Sequence, residues 1–120
     1  MATERVRLLV DLEIHEGKFA EFAAIAKQMV AVSEQEPGTL NYKFYLSVDR
    51  KQCRLVEDYT DQDAITAHFR GRAVQQLVPQ LIQFCSPKSM ESYGDPGSEV
   101  RAMASAFGAQ FFDPWEGFDR

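Results

Sequence analysis

Val6, Leu8, Val10, Leu12 and Ile14 alternate with Arg7, Leu9, Asp11 and Glu13, the two-residue period of a strand with one strongly apolar face. Over residues 17–36 the period changes: Phe19, Phe22, Ala23, Ala26, Met29, Val30 and Ser33 fall three and four apart, which predicts a long helix with one stripe turned to the core. Glu36-Pro37-Gly38 ends it, because proline disfavours helix in the residue before it and glycine permits the turn. Residues 39–47 then carry Leu40, Tyr42, Phe44 and Leu46 on one face, 48–51 are a polar turn, and 52–59 run back, so the two segments read as a hairpin.

Thr60-Asp61-Gln62-Asp63 supplies capping side chains and early acidic residues, which predicts a helix from about Asp61 that Gly71 breaks. Val74, Leu77, Val78, Leu81, Ile82 and Cys85 continue at helical spacing, with Pro79 inside the stripe calling for a kink or a restart. Ser86-Pro87 closes this region, and residues 88–94 alternate as a last strand. The order β-α-β-β-α-β predicts an α+β, ferredoxin-like domain over residues 1–95, with a four-stranded antiparallel sheet and both helices on one face. Residues 96–120 extend it with a short helix over 98–107, closed by Gly108, and an aromatic tail holding Phe111, Phe112, Trp115 and Phe118. So apolar a tail is expected to dock on its own domain or on a partner.

The second sheet face is mixed: Leu9, Tyr45 and Val56 lie among Arg7, Asp11, Lys43 and Arg54. Packing two such faces together buries the apolar residues and lets the charges pair at the rim, so a homodimer is expected. The alternative is a solvated face with scattered apolar residues.

Composition narrows the function classes. The 120 residues are 45% hydrophobic and 26% charged, which suits one folded domain. A formal net charge of −5 with scattered basic residues argues against nucleic acid as a partner. No apolar run reaches about 18 residues, so no membrane span is expected, and a start of MATERVRLLV without a secretory signal leads to a cytoplasmic expectation. Cys53 and Cys85 form no CxxC pair and no cluster at metal-ligand spacing, so no metal is expected. Two reduced thiols are the default, with a disulfide as the alternative.

Two stretches carry a family resemblance: Glu36-Pro37-Gly38-Thr39-Leu40-Asn41-Tyr42, and Val56-Glu57-Asp58-Tyr59 followed by Thr60-Asp61-Gln62-Asp63-Ala64-Ile65-Thr66-Ala67-His68. A helix ended by E-x-G, a tyrosine strand, E-x-aromatic, an acidic turn and an alanine-to-histidine helix together resemble the antibiotic biosynthesis monooxygenase domain, over residues 5 to 95. The resemblance implies a dimeric α+β barrel. Its activities range over cofactor-free quinol and polyketide oxygenases, haem-degrading enzymes and an isomerase. Haem degradation is disfavoured, because the first strand has no asparagine and Tyr59 stands where those relatives carry tryptophan.

His68 lies one turn after Ala64 and beside Phe69, at the edge of the stripe facing the sheet. An imidazole there can take a proton from a phenol, or it can simply cap a backbone carbonyl or bridge to a neighbouring helix. Glu57 shares its strand face with Leu55 and Tyr59, where a lone carboxylate needs a partner. That partner is His68 in the functional reading, or Arg70 or Arg72 at the domain edge in the structural one. Asn41, Tyr42, Tyr59 and Phe69 are candidates to line a substrate pocket or to pack as core, and Phe111, Phe112 and Trp115 are candidates to cover its mouth or to clasp a dimer. The expected function is a cofactor-free monooxygenase of a small phenol, quinol or polyketide-like aromatic, with no bound cofactor. An isomerase or other proton-transfer enzyme on the same pocket, and a non-catalytic ligand-binding dimer, are the alternatives.

Overall fold

A computed structural model describes residues 4–120. Strand β1 (Val6–Ile14) lies at the centre of the sheet and buries Val6, Leu8, Val10, Leu12 and Ile14, the alternation seen in the sequence. Helix α1 (Phe19–Glu34) lays Phe22, Ala26, Met29 and Ser33 against the sheet. Strands β2 (Thr39–Leu46) and β3 (Gln52–Tyr59) form the hairpin. Helix α2 (Gln62–Arg70) begins at Asp61, whose side chain accepts from the Ala64 N–H at 2.9 Å, so the expected cap forms.

After Gly71 the chain makes a π-helical turn (Ala73–Leu77) that runs into the short α3 (Val78–Leu81). The Val78 N–H donates to the Ala73 carbonyl, five residues back. Pro79 has no N–H to offer the Gln75 carbonyl and stands in the first turn of α3, so the helix widens and restarts instead of running through. The helical region ends at Leu81, earlier than its apolar spacing predicts. Cys85 therefore opens strand β4 (Cys85–Tyr93), which pairs antiparallel with β1 and carries an irregularity opposite Asp11/Leu12, where Pro87 enters the ladder.

The expectation of a four-stranded antiparallel sheet is corrected. The sheet has five strands in the order β2-β3-β1-β4-β5. Helix α4 (Ser98–Ser105) crosses back so that the short β5 (Gln110–Phe112) pairs parallel with β4. The extension is part of the domain through α4 and β5: Val100 packs with Val6, Leu8, Ile65 and Phe69 in one of two core clusters, and Ala104 is also buried, whereas Trp115 and Phe118 at the end of the tail are exposed. The other cluster gathers Val10, Leu12, Phe22, Met29, Leu55 and Leu77. Cys53 and Cys85 are free and buried, and burial pushes both thiols up to about 11. Among the described residues no helix is long and apolar enough to cross a membrane.

Gly38 fixes how closely α2 approaches the β2 end of the sheet. A Cβ added there would overlap the Ala64 Cβ and stand 3.2 Å from Thr60 Oγ1. Gly38→Ala is expected to lower stability by about 1–3 kcal/mol in denaturant unfolding, and Ala64→Gly in the same chain to restore part of the loss. An unchanged unfolding midpoint for the single variant would contradict this packing.

Candidate active site

Glu57 is the one charged residue on the helix-facing side of β3, between Leu55 and Tyr59, and its side chain is 6% exposed. Burial pushes its carboxyl above the usual range, opposed in part by His68 and by the hydrogen bond from Tyr59. The Tyr59 hydroxyl donates to Glu57 Oε1. His68, 1% exposed on α2, presents Nε2 to the same oxygen at 3.7 Å. Of the alternative partners Arg70 and Arg72, neither pairs with Glu57, and the Arg70 Nε donates instead to Glu99 Oε2 at 2.6 Å.

The other nitrogen of His68 meets Glu36. Nδ1 lies 2.7 Å from Glu36 Oε1, which also accepts from Thr39 Oγ1 at 2.8 Å. A carboxylate can only accept, so Nδ1 carries the proton and Nε2 is the nitrogen left to face Glu57. With Nε2 bare and Glu57 ionised, two acceptors would face one another in a dry site. At 3.7 Å the two are too far apart to share a hydrogen bond, so the contact favours a proton on the Glu57 carboxyl, as burial does, or a hydroxyl from outside set between them. The two carboxylates address opposite ring nitrogens and do not converge on one point where an ion could sit.

His68 and Glu57 open onto a cavity of about 80 Å³ between the sheet and the helices. Its walls are apolar, with Leu8, Val10, Leu12 and Leu55 below and Met29, Phe69 and Leu81 above; Tyr42 adds a phenol to the polar wall. The Tyr42 and Tyr59 rings lie 5.2 and 5.4 Å from the His68 ring. Desolvation first, then the nearby carboxylates, raise both phenols well above their ordinary value, so at neutral pH they serve as donors. Ser33, on α1, is the only buried side-chain oxygen among the described residues without a hydrogen-bond partner.

The structure thus brings His68, Glu57, Tyr42 and Phe69 to one cavity, with Tyr59 behind Glu57. Asn41 is not there. It alternates with Tyr42, so it lies on the opposite sheet face, where its amide donates to Asp58 Oδ2 at 3.1 Å. The tail aromatics also stand apart from the cavity. Phe111 lies under the Arg101 guanidinium at 4.4 Å, Phe112 stacks on Tyr93 at 5.4 Å, and Trp115 is 94% exposed. Two residues that the sequence pattern does not single out take their places: Glu36, which reads there as a helix-ending residue, and Phe107, which lines the cavity from the turn after α4.

The family model for antibiotic biosynthesis monooxygenase matches residues 5–80, and the chain belongs to that family. Among solved structures, MupZ from Pseudomonas fluorescens is similar with a TM-score of 0.84 and 22% identity, over 98% of this chain and 96% of its own. SnoaB from Streptomyces nogalater, a cofactor-independent oxygenase, gives 0.67 and 14% over 80% of this chain and 97% of its own. Rv0793 from Mycobacterium tuberculosis gives 0.69 and 16% over 79% and 98%. At these identities the likeness is one of fold. No curated protein sequence matches the chain significantly.

Because Glu57 has its carboxyl raised by burial, the native state favours the protonated form, and its contribution to stability is greatest below the ordinary carboxylate value and is lost as pH rises through the raised one. The amide of E57Q accepts from Tyr59 and donates toward Nε2 without a charge to bury. The stability of E57Q relative to the parent chain is therefore expected to increase from pH 4.5 to pH 7.5 in thermal unfolding; a difference that stays flat with pH would sink this account.

Proposed function

We propose that the chain is a cofactor-independent monooxygenase acting on a small phenol or quinol. The observation that carries this reading is the buried His68–Glu57 pair on the polar wall of an otherwise apolar cavity. A phenol whose hydroxyl enters between Nε2 and Glu57 loses its proton to the pair, with Glu36 holding the ring and stabilising the imidazolium through Nδ1. Tyr42 donates to the phenolate oxygen. The electron-rich phenolate reduces dioxygen, the sole oxidant: one oxygen atom becomes a new ring carbonyl and the other leaves as water with two substrate hydrogens, so phenol plus dioxygen gives quinone plus water. Apolar walls keep bulk water from the reactive species.

The test is oxygen uptake over a panel of phenols and quinols. Uptake matched to quinone formation is expected, with His68→Ala slowing turnover by roughly 10²–10⁴-fold. Turnover without oxygen uptake would overturn the oxygenase reading in favour of proton transfer or isomerisation by the same pair. Ligand binding that His68→Ala leaves unchanged, with no turnover, would favour a binding module.

We also propose that the chain acts as a homodimer through its open sheet face. Leu9 pairs with Val56 at the centre of that face, and Tyr45 is half exposed beside them. The flanking charges pair in register, Arg7 with Asp58 at 2.7 Å and Arg54 with Asp11 at 3.4 Å, which lowers the cost of covering them. Tyr45→Glu is expected to weaken self-association by about tenfold or more in sedimentation equilibrium; a monomeric parent chain at tens of micromolar would refute the dimer.

A further inference from the structure

Most of the cavity wall is fully buried, but three of its lining residues, Ile82, Pro87 and Phe107, are exposed and so mark its mouth. Ile82 follows α3 and Pro87 lies on β4, both tied to the core by their own elements. Phe107 is different. It is 50% exposed and stands on the turn after α4, held by its N–H to the Ala104 carbonyl at 3.0 Å and followed by Gly108 at φ +77°. Its ring is the bulkiest group at the mouth, and it lies beyond residues 5–80, the stretch shared with the family.

An apolar cavity that takes up benzene in a well-packed domain measures about 150 Å³, whereas this one measures about 80 Å³. A single aromatic ring therefore fits only when a rim side chain swings outward. A fused ring system requires that side chain to be absent. The half-exposed ring on a turn is the rim group with the most room to move, since solvent-exposed side chains change rotamer readily.

We propose that Phe107 is the specificity-determining residue of this cavity, a gate that admits one aromatic ring carrying a hydroxyl and excludes fused rings. The proposal rests on the cavity being the substrate site, not on what happens to oxygen there. The experiment uses phenol and 1-naphthol as probes, with binding read from the His68 imidazole resonances by NMR in the full-length chain. In the parent protein phenol shifts those resonances and 1-naphthol binds more weakly. Phe107→Ala is expected to change the affinity ratio in favour of 1-naphthol by at least tenfold, with Phe107→Leu intermediate; because the side chain is half exposed, the milder variant keeps the test open if the first unfolds. A ratio that stays within twofold in both variants, or phenol that leaves the His68 signals unmoved in the parent chain, would overturn the gate. If the ratio changes as expected while no phenol supports oxygen uptake, the gate stands and the oxygenase reading falls.

Discussion

A carboxylate on the buried face of β3 is the constraint around which this domain is arranged. Glu57 cannot be left alone among Leu8, Leu55 and Phe69, because an unpaired charge there would cost several kcal/mol. Its Oε1 accepts from the Tyr59 hydroxyl two residues along the same strand, and His68 on α2 stands 3.7 Å from the same oxygen. His68 is in turn buried and needs an acceptor for Nδ1, which only Glu36, just beyond the end of α1, supplies. Three elements distant in sequence are thereby fixed to one another, and Gly38 is what allows it. Without a Cβ it lets Ala64 sit against the start of β2, and His68, one turn further along α2, comes within 2.7 Å of Glu36.

The same arrangement explains why a cavity survives in a domain of this size. The two core clusters meet along β1, one built with α1 and the other with α2 and α4. The cavity lies at their seam, drawing Leu8 and Phe69 from one and Val10, Leu12, Leu55 and Leu81 from the other. Val74 in the widened turn at Ala73–Leu77 and Val78 just after it also line the cavity, and one residue inserted into a helix rotates the side chains that follow by about 100°. Polar groups are gathered on one wall and apolar groups on the others, which gives the cavity a direction.

The strongly periodic elements were legible in the chain. Five alternating apolar residues define β1, and the stripe from Phe19 to Ser33 defines α1, because each buries a face whose period the backbone sets. The start of β4 was not, since Ile82 and Cys85 continue a helical spacing that only the sheet register overrules. β5 is three residues long and owes its existence to β4 beside it and to Gly94, whose N–H donates to the Phe112 carbonyl at 2.8 Å. At the site, Glu57 and His68 stand out as polar residues on apolar faces. Asn41 misleads because adjacency to Tyr42 along a strand means opposite faces. Glu36 is hidden because its partner lies 32 residues away; the signal that could have found it is an E-x-G whose glycine must admit a helix carrying a buried histidine.

The cavity mouth and the face proposed for self-association lie on different sides of the sheet. The mouth at Ile82, Pro87 and Phe107 opens on the helical face, whereas Leu9, Val56 and Tyr45 lie on the other, so covering the open face leaves the route to His68 free. The helical face can vary at its rim without disturbing the Glu36–His68–Glu57 array, because the array is anchored in α2, β3 and the α1–β2 connection while the rim is built from α3, β4 and the extension. The polar array and the cavity rim thus reside on separate segments of one chain. Tyr59 holds Glu57 and Glu36 holds His68 by hydrogen bonds in the interior, whereas Phe107 stands on an exposed turn held by three backbone hydrogen bonds, Phe107 and Ala109 to Ala104 and Gly108 to Ser105.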